Sequence, residues 1–425
     1  MDIKVTPRQL RGCLSGVVTS KSQAHRALIC AAFSDRKVRI TGLNDSADIK
    51  ATAGCLEALG AGMDINDGTV TVRPAEKVTH GAVLDCGESG STLRFLLPVA
   101  AAMESDACFI GHGRLPSRPM SPLLEEMEKK GVSFDGKGSL PLKCAGRLRG
   151  GEYTMPGNIS SQFISGLMMA LPLIGEESVI RVTGRLESGP YAEMTRDVLG
   201  TFGIDVRKEG DRYIIPGGQR YRGPEQFRVE GDWSGAAFWL AAGALSDEGV
   251  ECRGMNMSSV QGDMAILDIL EGFGAEVKRF DDGAAVRHRP LKGMDIQAGD
   301  IPDLVPVIAV TAAYAEGDTR IGRIGRLRLK ESDRAETVTG LVRALGGSAE
   351  IKEDEMIIHG TGGLEGGTAE TFGDHRIVMA AAAAATRASG PVRIRGAEAA
   401  AKSYPDFFAR MRELGGEWEE DTGAV

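Results

Sequence analysis

The sequence predicts an α/β protein made of two similar halves with three repeats each, and three observations lead there. One pattern recurs six times, an amphipathic helical stretch that ends at Gly and gives way to an alternating strand: LEALGAGMDI, MEKKGVSFDG, VLGTFGIDVR, LEGFGAEVKR, VRALGGSAEI and MRELGGEWEE. The glycines are Gly60, Gly131, Gly203, Gly274, Gly346 and Gly415, spaced 69 to 72 residues apart. A second, mostly apolar stretch precedes each copy by about forty residues.

Taking the elements in order, Gly just past a helix adopts the left-handed conformation that caps the last turn, and the chain then leaves as a strand. The preceding stretches are SKSQAHRALICAA, SGSTLRFLLPVAAA, SSQFISGLMMALPL, DWSGAAFWLAAGAL, GDIPDLVPVIAVTAA and GDHRIVMAAAAAA, starting at Ser20, Ser89, Ser160, Asp232, Asp300 and Asp374. A helix apolar on nearly all sides is a buried helix. Its polar first residue caps it, and its free N–H groups and positive dipole end face outward. Six such termini are six potential anion sites if the fold brings them together. Strands alternate with helices throughout, which fixes the α/β class. A chain of 425 residues exceeds one core, and the division is expected near residue 228, where the third repeat yields to the fourth.

Hydrophobic residues at 42% and charged residues at 26% match ordinary globular proteins and exclude disordered and fibrous classes. A net charge of −9 argues against nucleic acid and anionic membranes as partners. The basic run RIGRIGRLRLKESDR contains no aromatic residue for stacking on bases and does not alter that. Seven cysteines without a CxxC pair, an odd number, read as reduced thiols in a cytoplasmic protein. The start MDIKVTPRQLRG has no apolar signal core, and the alanine run Ala380 to Ala385 is far shorter than a membrane span. There is no HExxH, paired Cys/His set or DxDxDG loop, so no metal is expected; no GxxxxGK[ST], and no GxGxxG after a strand, so no nucleotide cofactor is expected.

Eight cations fall in motif-like segments: Lys21, Arg26, Arg94, Arg118, Lys330, Arg334, Arg376 and Lys402. Singly, each would be an ordinary solvated charge. Together, in an acidic protein, they predict a local pocket for a substrate with several negative charges. Asp303 stands at the mouth of an apolar helix, where capping is the ordinary role, and Glu331 follows Lys330, where an exposed pair is the ordinary reading. His375, at a helix start, leaves capping and catalysis equally open.

SKSQAHRAL, GESGSTLRF, SRPM, SSQF, SGPY, IPD, LKESDR, GDHR and AKSYPDF follow one another between Lys21 and Asp406. In kind and order they resemble the signatures of the enolpyruvyl transferases, specifically the shikimate-phosphate branch. The resemblance implies the inside-out α/β barrel fold, two domains of three βαβαββ units with buried helices pointing their N-termini at a cleft. It places the first domain at 20–228 and the second at 1–19 plus 229–425, with the active site in the cleft and closure over ligands. The implied reaction transfers the enolpyruvyl group of phosphoenolpyruvate to the 5-hydroxyl of shikimate 3-phosphate by addition and elimination, without cofactor or metal, in a monomer.

Carried over by position, Lys21, Ser22, Arg26, Ser160, Ser161, Gln162, Ser188, Tyr191, Asp303 and Lys330 are expected to hold shikimate 3-phosphate. Lys21, Gly90, Arg94, Arg118, Gln162, Arg334, Arg376 and Lys402 are expected to hold phosphoenolpyruvate, the site where the family binds glyphosate. Asp303 is the expected base for the hydroxyl, Glu331 the proton donor and acceptor at C3, and Lys21 a cation serving the phosphate. The chain departs from the commonest pattern at Glu88 (Asn in many relatives), Ser91 (Thr) and Gly189 (Lys in some). The sister enzyme acting on UDP-N-acetylglucosamine carries a catalytic Cys where this chain has Gly113 and an opening signature with Lys-Asn, and so fits less well. A non-catalytic anion-binding repeat protein would have been favoured by loss of Asp303, Glu331 or Lys21, and all three are present.

Overall fold

Apolar helices that bury every side need sheets around them, and the chain supplies these in sets of four strands. The computed structural model describes residues 1–66 and 68–421. It divides into two units, Thr19–Glu230 and Met1–Val18 with Gly231–Val425.

In the first unit the helices are α1 (Lys21–Ala32), α2 (Ala47–Ala58), α3 (Gly90–Ala102), α4 (Leu123–Glu128), α5 (Ser161–Ala170) and α6 (Gly189–Thr201). Three four-stranded sheets accompany them: Gln226–Arg228, Val38–Thr41, Thr69–Arg73, Gly62–Asn66; Val83–Asp85, Cys108–Ile110, Leu142–Gly146, Val132–Asp135; and Gly151–Pro156, Ser178–Thr183, Arg212–Ile215, Arg207–Glu209. In each, the first pair is parallel and the next two are antiparallel. A parallel pair needs a long crossover. Here α3 and α5 supply it for the second and third sheets. The first sheet takes its parallel partner, Gln226–Arg228, from the far end of the unit, so the chain closes on itself.

The second unit repeats the plan with α7 (Trp233–Ala244), α8 (Ile266–Phe273), α9 (Val305–Ala313), α10 (Arg334–Ala344), α11 (His375–Ala385) and α12 (Phe407–Glu413). Its first strands come from the chain's start: Gly12–Leu14 lies parallel to Val250–Arg253, and Ile3–Thr6 lies between Val392–Arg395 and Glu417–Glu420. Each unit has its own apolar core. Helices α7, α9 and α11 are buried at every position.

The repeat glycines have φ of 109°, 95°, 74°, 102°, 86° and 85° at Gly60, Gly131, Gly203, Gly274, Gly346 and Gly415, the left-handed region in all six copies. Five of the six expected helix starts are N-caps whose side chains accept a backbone N–H: Ser20, Ser89, Ser160, Asp232 and Asp374. The fifth in sequence differs. Asp300 ends a short 3-10 turn, Ala298–Asp300, and α9 begins only at Val305. Pro302 supplies the reason, because the residue before a proline is pushed out of the helical region; Ile301 sits at φ −131°, ψ 42°.

Two of the glycines separate conformational strain from collision. A Cβ at Gly415 would meet no heavy atom of the described residues within 4 Å, whereas one at Gly60 would fall 2.7 Å from the Lys77 carbonyl oxygen. Gly415→Ala should therefore cost about 1–2 kcal/mol, the left-handed penalty alone. Gly60→Ala should cost about 1–3 kcal/mol more from overpacking. Urea denaturation of both variants checks the order, and equal losses would contradict it.

Candidate active site

In the first unit the candidate residues gather at the N-terminal ends of α1, α3, α5 and α6. Lys21 opens α1 and its Nζ donates to Asp48 Oδ2 at 2.6 Å, both groups partly buried. Arg26, one turn later, is 2% exposed. Its Nε donates to Thr195 Oγ1 (2.7 Å), Nη1 to the Ser22 carbonyl (2.6 Å), and Nη2 to Ser165 Oγ (3.2 Å) and the Tyr191 carbonyl (3.0 Å). Burial lowers its pKa to about 10. Those four bonds use four of five guanidinium hydrogens, so Arg26 chiefly ties Ser22 to Tyr191. Ser188, which precedes α6, is buried in the left-handed conformation at φ 54°.

Around α3, Arg94 Nη1 donates to Gln162 Oε1 at 2.6 Å and Nη2 to the Pro119 carbonyl at 3.0 Å, while Gln162 Nε2 donates to Ser91 Oγ at 2.9 Å. A Cβ on Gly90 would lie 2.6 Å from Arg118 Nη1 and 3.2 Å from Arg94 Nη1. Gly90, Ser91, Arg94, Arg118 and Gln162 are therefore one cluster. Ser91 retains the hydroxyl that the usual Thr would supply, and here that hydroxyl accepts from Gln162. Ser160 and Ser161 stand at the start of α5, Ser160 accepting from the Gln162 N–H. Glu88 is exposed with its carboxyl over Gly113, where a Cβ would fall 2.6 Å from its Cδ. A side chain at Gly113 would have to displace the Glu88 carboxyl.

The second unit holds a denser network centred on Arg334, which is 1% exposed. Nη1 donates to Asp303 Oδ1 at 2.6 Å, Nη2 to Glu331 Oε2 at 2.8 Å and Asp374 Oδ1 at 3.2 Å, and Nε to Asp374 Oδ2 at 2.8 Å. Lys330 Nζ reaches Asp303 Oδ1 at 3.2 Å, and Arg376 Nη2 reaches Asp303 Oδ2 at 3.4 Å. Burial alone would raise the pKa of Asp303, but Lys330, Arg376 and Arg334 more than offset it and hold the carboxyl well below the usual range. Burial lowers Lys330, and Asp303 restores only part of that. Lys402 Nζ donates to the Gly373 carbonyl at 3.1 Å, just before the Asp374 cap of α11. His375 is buried at the start of that helix.

Three acidic groups enter that sequence reasoning did not name as site partners. Asp48 pairs with Lys21 across 27 residues, and Asp374, recognised only as a cap, is the anchor of Arg334. Asp263 is buried, accepts from Ser234 Oγ, and has its pKa raised to about 6 by burial and by the charge of Asp303. An acid in the turn VQGDM with no neighbouring cation was the one available signal.

Against known proteins, a profile of the EPSP synthase family, described as 3-phosphoshikimate 1-carboxyvinyltransferase, matches residues 5–411. A 3-phosphoshikimate 1-carboxyvinyltransferase of Clostridium acetobutylicum is 41% identical, covering 98% of both chains, and one of Clostridium kluyveri is 38% identical with the same coverage. A solved EPSP synthase from Acinetobacter baumannii superposes with a TM-score of 0.83 at 25% identity, over 99% of this chain and 100% of that one. The enolpyruvyl transferase NikO from Streptomyces tendae shares the fold, with a TM-score of 0.77 at 21% identity over 98% of each chain. A profile spanning nearly the whole sequence, with relatives this similar end to end, settles the kinship, and the chain belongs to the EPSP synthase family of 3-phosphoshikimate 1-carboxyvinyltransferases.

Proposed function

We propose that both clusters serve one reaction and that Arg334 times it. As a member of its family the chain transfers the enolpyruvyl group of phosphoenolpyruvate to shikimate 3-phosphate in the shikimate pathway. On this reading Ser22, Arg26, Ser160, Ser161, Gln162, Ser188, Tyr191, Asp303 and Lys330 hold shikimate 3-phosphate. Lys21, Gly90, Arg94, Arg118, Gln162, Arg334, Arg376 and Lys402 hold phosphoenolpyruvate. The protein works as a cytoplasmic monomer, in a reducing compartment suited to its seven free thiols.

One observation carries the mechanism: the two carboxylates assigned to proton transfer, Asp303 and Glu331, occupy the two Nη nitrogens of the same buried arginine. Held there, Asp303 is too weak a base to take a hydroxyl proton. The guanidinium fork binds a carboxylate in bidentate fashion. A phosphoenolpyruvate carboxylate that takes Nη1 and Nη2 displaces both residues together, while Asp374 keeps Nε. Relieved of Arg334, and of Arg376 when that too turns to the ligand, Asp303 regains basicity beside Lys330.

The addition then follows. The 5-hydroxyl oxygen bonds to C2 of phosphoenolpyruvate, its proton passes to Asp303, and C3 receives a proton from Glu331, which takes up that proton from water once displaced from Arg334 and so acts as a neutral acid. In the elimination the bond from C2 to the phosphate oxygen breaks, Glu331 takes a proton back from C3, the C2–C3 double bond re-forms, and Asp303 gives up the hydroxyl proton, which leaves with the phosphate. Lys21, Arg118 and Lys402 stabilise the departing phosphate.

Asp303→Asn and Glu331→Gln should each lower kcat by about 10²-fold or more. Because Asp303 competes with phosphoenolpyruvate for Arg334, the KM for phosphoenolpyruvate in Asp303→Asn should stay level or fall. Steady-state kinetics on both variants checks this, and near-normal turnover in either removes that residue from the mechanism.

Glyphosate should inhibit competitively with phosphoenolpyruvate. An alanine methyl at Gly90 collides with Arg118, so Gly90→Ala should raise the glyphosate inhibition constant more than the KM for phosphoenolpyruvate. Unchanged inhibition in that variant would show that Gly90 does not line the site.

A further inference from the structure

Between α1, α2 and α3 runs a chain of buried polar side chains to which the reaction assigns no role. His25 Nδ1 lies 2.7 Å from Thr52 Oγ1, Thr52 Oγ1 lies 2.7 Å from Thr92 Oγ1, and Thr92 Oγ1 donates to Ser89 Oγ at 2.7 Å. All four residues are at most 1% exposed. Ser89 is the cap of α3 and also accepts the Thr92 N–H at 3.2 Å. The chain thus joins the helix that carries Lys21 and Ser22 to the first turn that carries Gly90 and Ser91.

Its direction can be worked out. Thr92 gives its hydroxyl hydrogen to Ser89, so it must accept from Thr52, and Thr52, having given its own, must accept from His25 Nδ1–H. A neutral imidazole with hydrogen on Nδ1 leaves Nε2 bare, and Nε2 makes no hydrogen bond. The opposite tautomer would bury an unpaired N–H donor. Burial lowers the His25 pKa to about 3, in keeping with a ring that stays neutral despite Asp48 nearby.

We propose that His25, Thr52, Thr92 and Ser89 form a directed hydrogen-bond relay that positions the first turn of α3 for phosphoenolpyruvate. It rests on the assignment of Gly90 and Arg118 to that substrate. Helix geometry leaves first-turn N–H groups without partners inside the helix, and the relay fixes where they point by locking the cap from behind. His25 touches no substrate and acts as a positioning residue. Double capping by one serine and a fixed tautomer distinguish this arrangement from a polar contact that merely fills space.

Thr52 tests it, since no substrate contact is assigned to it. Thr52→Val preserves shape and removes the hydroxyl, whereas Thr52→Ser keeps the hydroxyl. Expected for Thr52→Val is a rise of about fivefold or more in the KM for phosphoenolpyruvate and in the glyphosate inhibition constant, with the KM for shikimate 3-phosphate within about twofold. Thr52→Ser should remain near the parent. Nitrogen-15 NMR of the parent should show a neutral His25 protonated at Nδ1, a readout that does not depend on any variant folding. An Nε2–H tautomer overturns the relay. So does a fall in Tm with both KM values unchanged or raised equally, while Gly90→Ala, measured in parallel, does shift phosphoenolpyruvate or glyphosate. If Gly90→Ala shifts neither ligand, the substrate assignment itself fails and the proposal falls with it.

Discussion

A helix buried on every side can carry charge safely only where its backbone runs out of internal partners. That constraint, repeated six times, organises this protein. Past their first turns α7, α9 and α11 are apolar except for Thr311, whose hydroxyl donates to the Val307 carbonyl of its own helix. In α7 and α11 the polar caps, Asp232 and Asp374, and the one cation, Arg376, lie at the first turn. Where α1 does bury polar groups inside the helix, at His25 and Arg26, each is bonded to neighbouring elements. An unpaired group there would destabilise the unit.

Arg334 shows how such pairing becomes function. Breaking a buried ion pair leaves an uncompensated charge and is strongly unfavourable. Asp303, the more buried partner, is therefore held on the guanidinium unless another carboxylate arrives. On the proposed mechanism the same electrostatics that stabilise the ligand-free cluster keep Asp303 a weak base until substrate exchanges with it, and Asp374, fully buried against Nε, keeps the arginine in place during that exchange.

The repeat was legible in the sequence because its signals are local: a glycine that must be left-handed and a serine or aspartate that must cap. At the fifth copy the local signal misleads, because Asp300 has the character of a cap while Pro302 two positions on delays the helix to Val305. The cations and two carboxylates were legible through motif resemblance. Their partners were not, because Asp48 lies 27 residues from Lys21 and Asp374 lies 40 from Arg334, and no spacing rule joins them. The consequence for Asp303 was likewise hidden. Its identity suggested a base, and only the three cations around it reveal that the ligand-free group is a poor one.

Proton uptake on ligand binding tests that last point most directly. Glyphosate would be titrated calorimetrically into the parent and into Asp303→Asn, both saturated with shikimate 3-phosphate, in two buffers of different ionisation enthalpy at the acidic end of the stable range. The ligand's own ionisation is common to both titrations and cancels in the difference. If ligand carboxylate releases Asp303 from its arginines, the pKa of Asp303 rises and the parent takes up more protons than the variant. Equal uptake in the two proteins would contradict the exchange on Arg334.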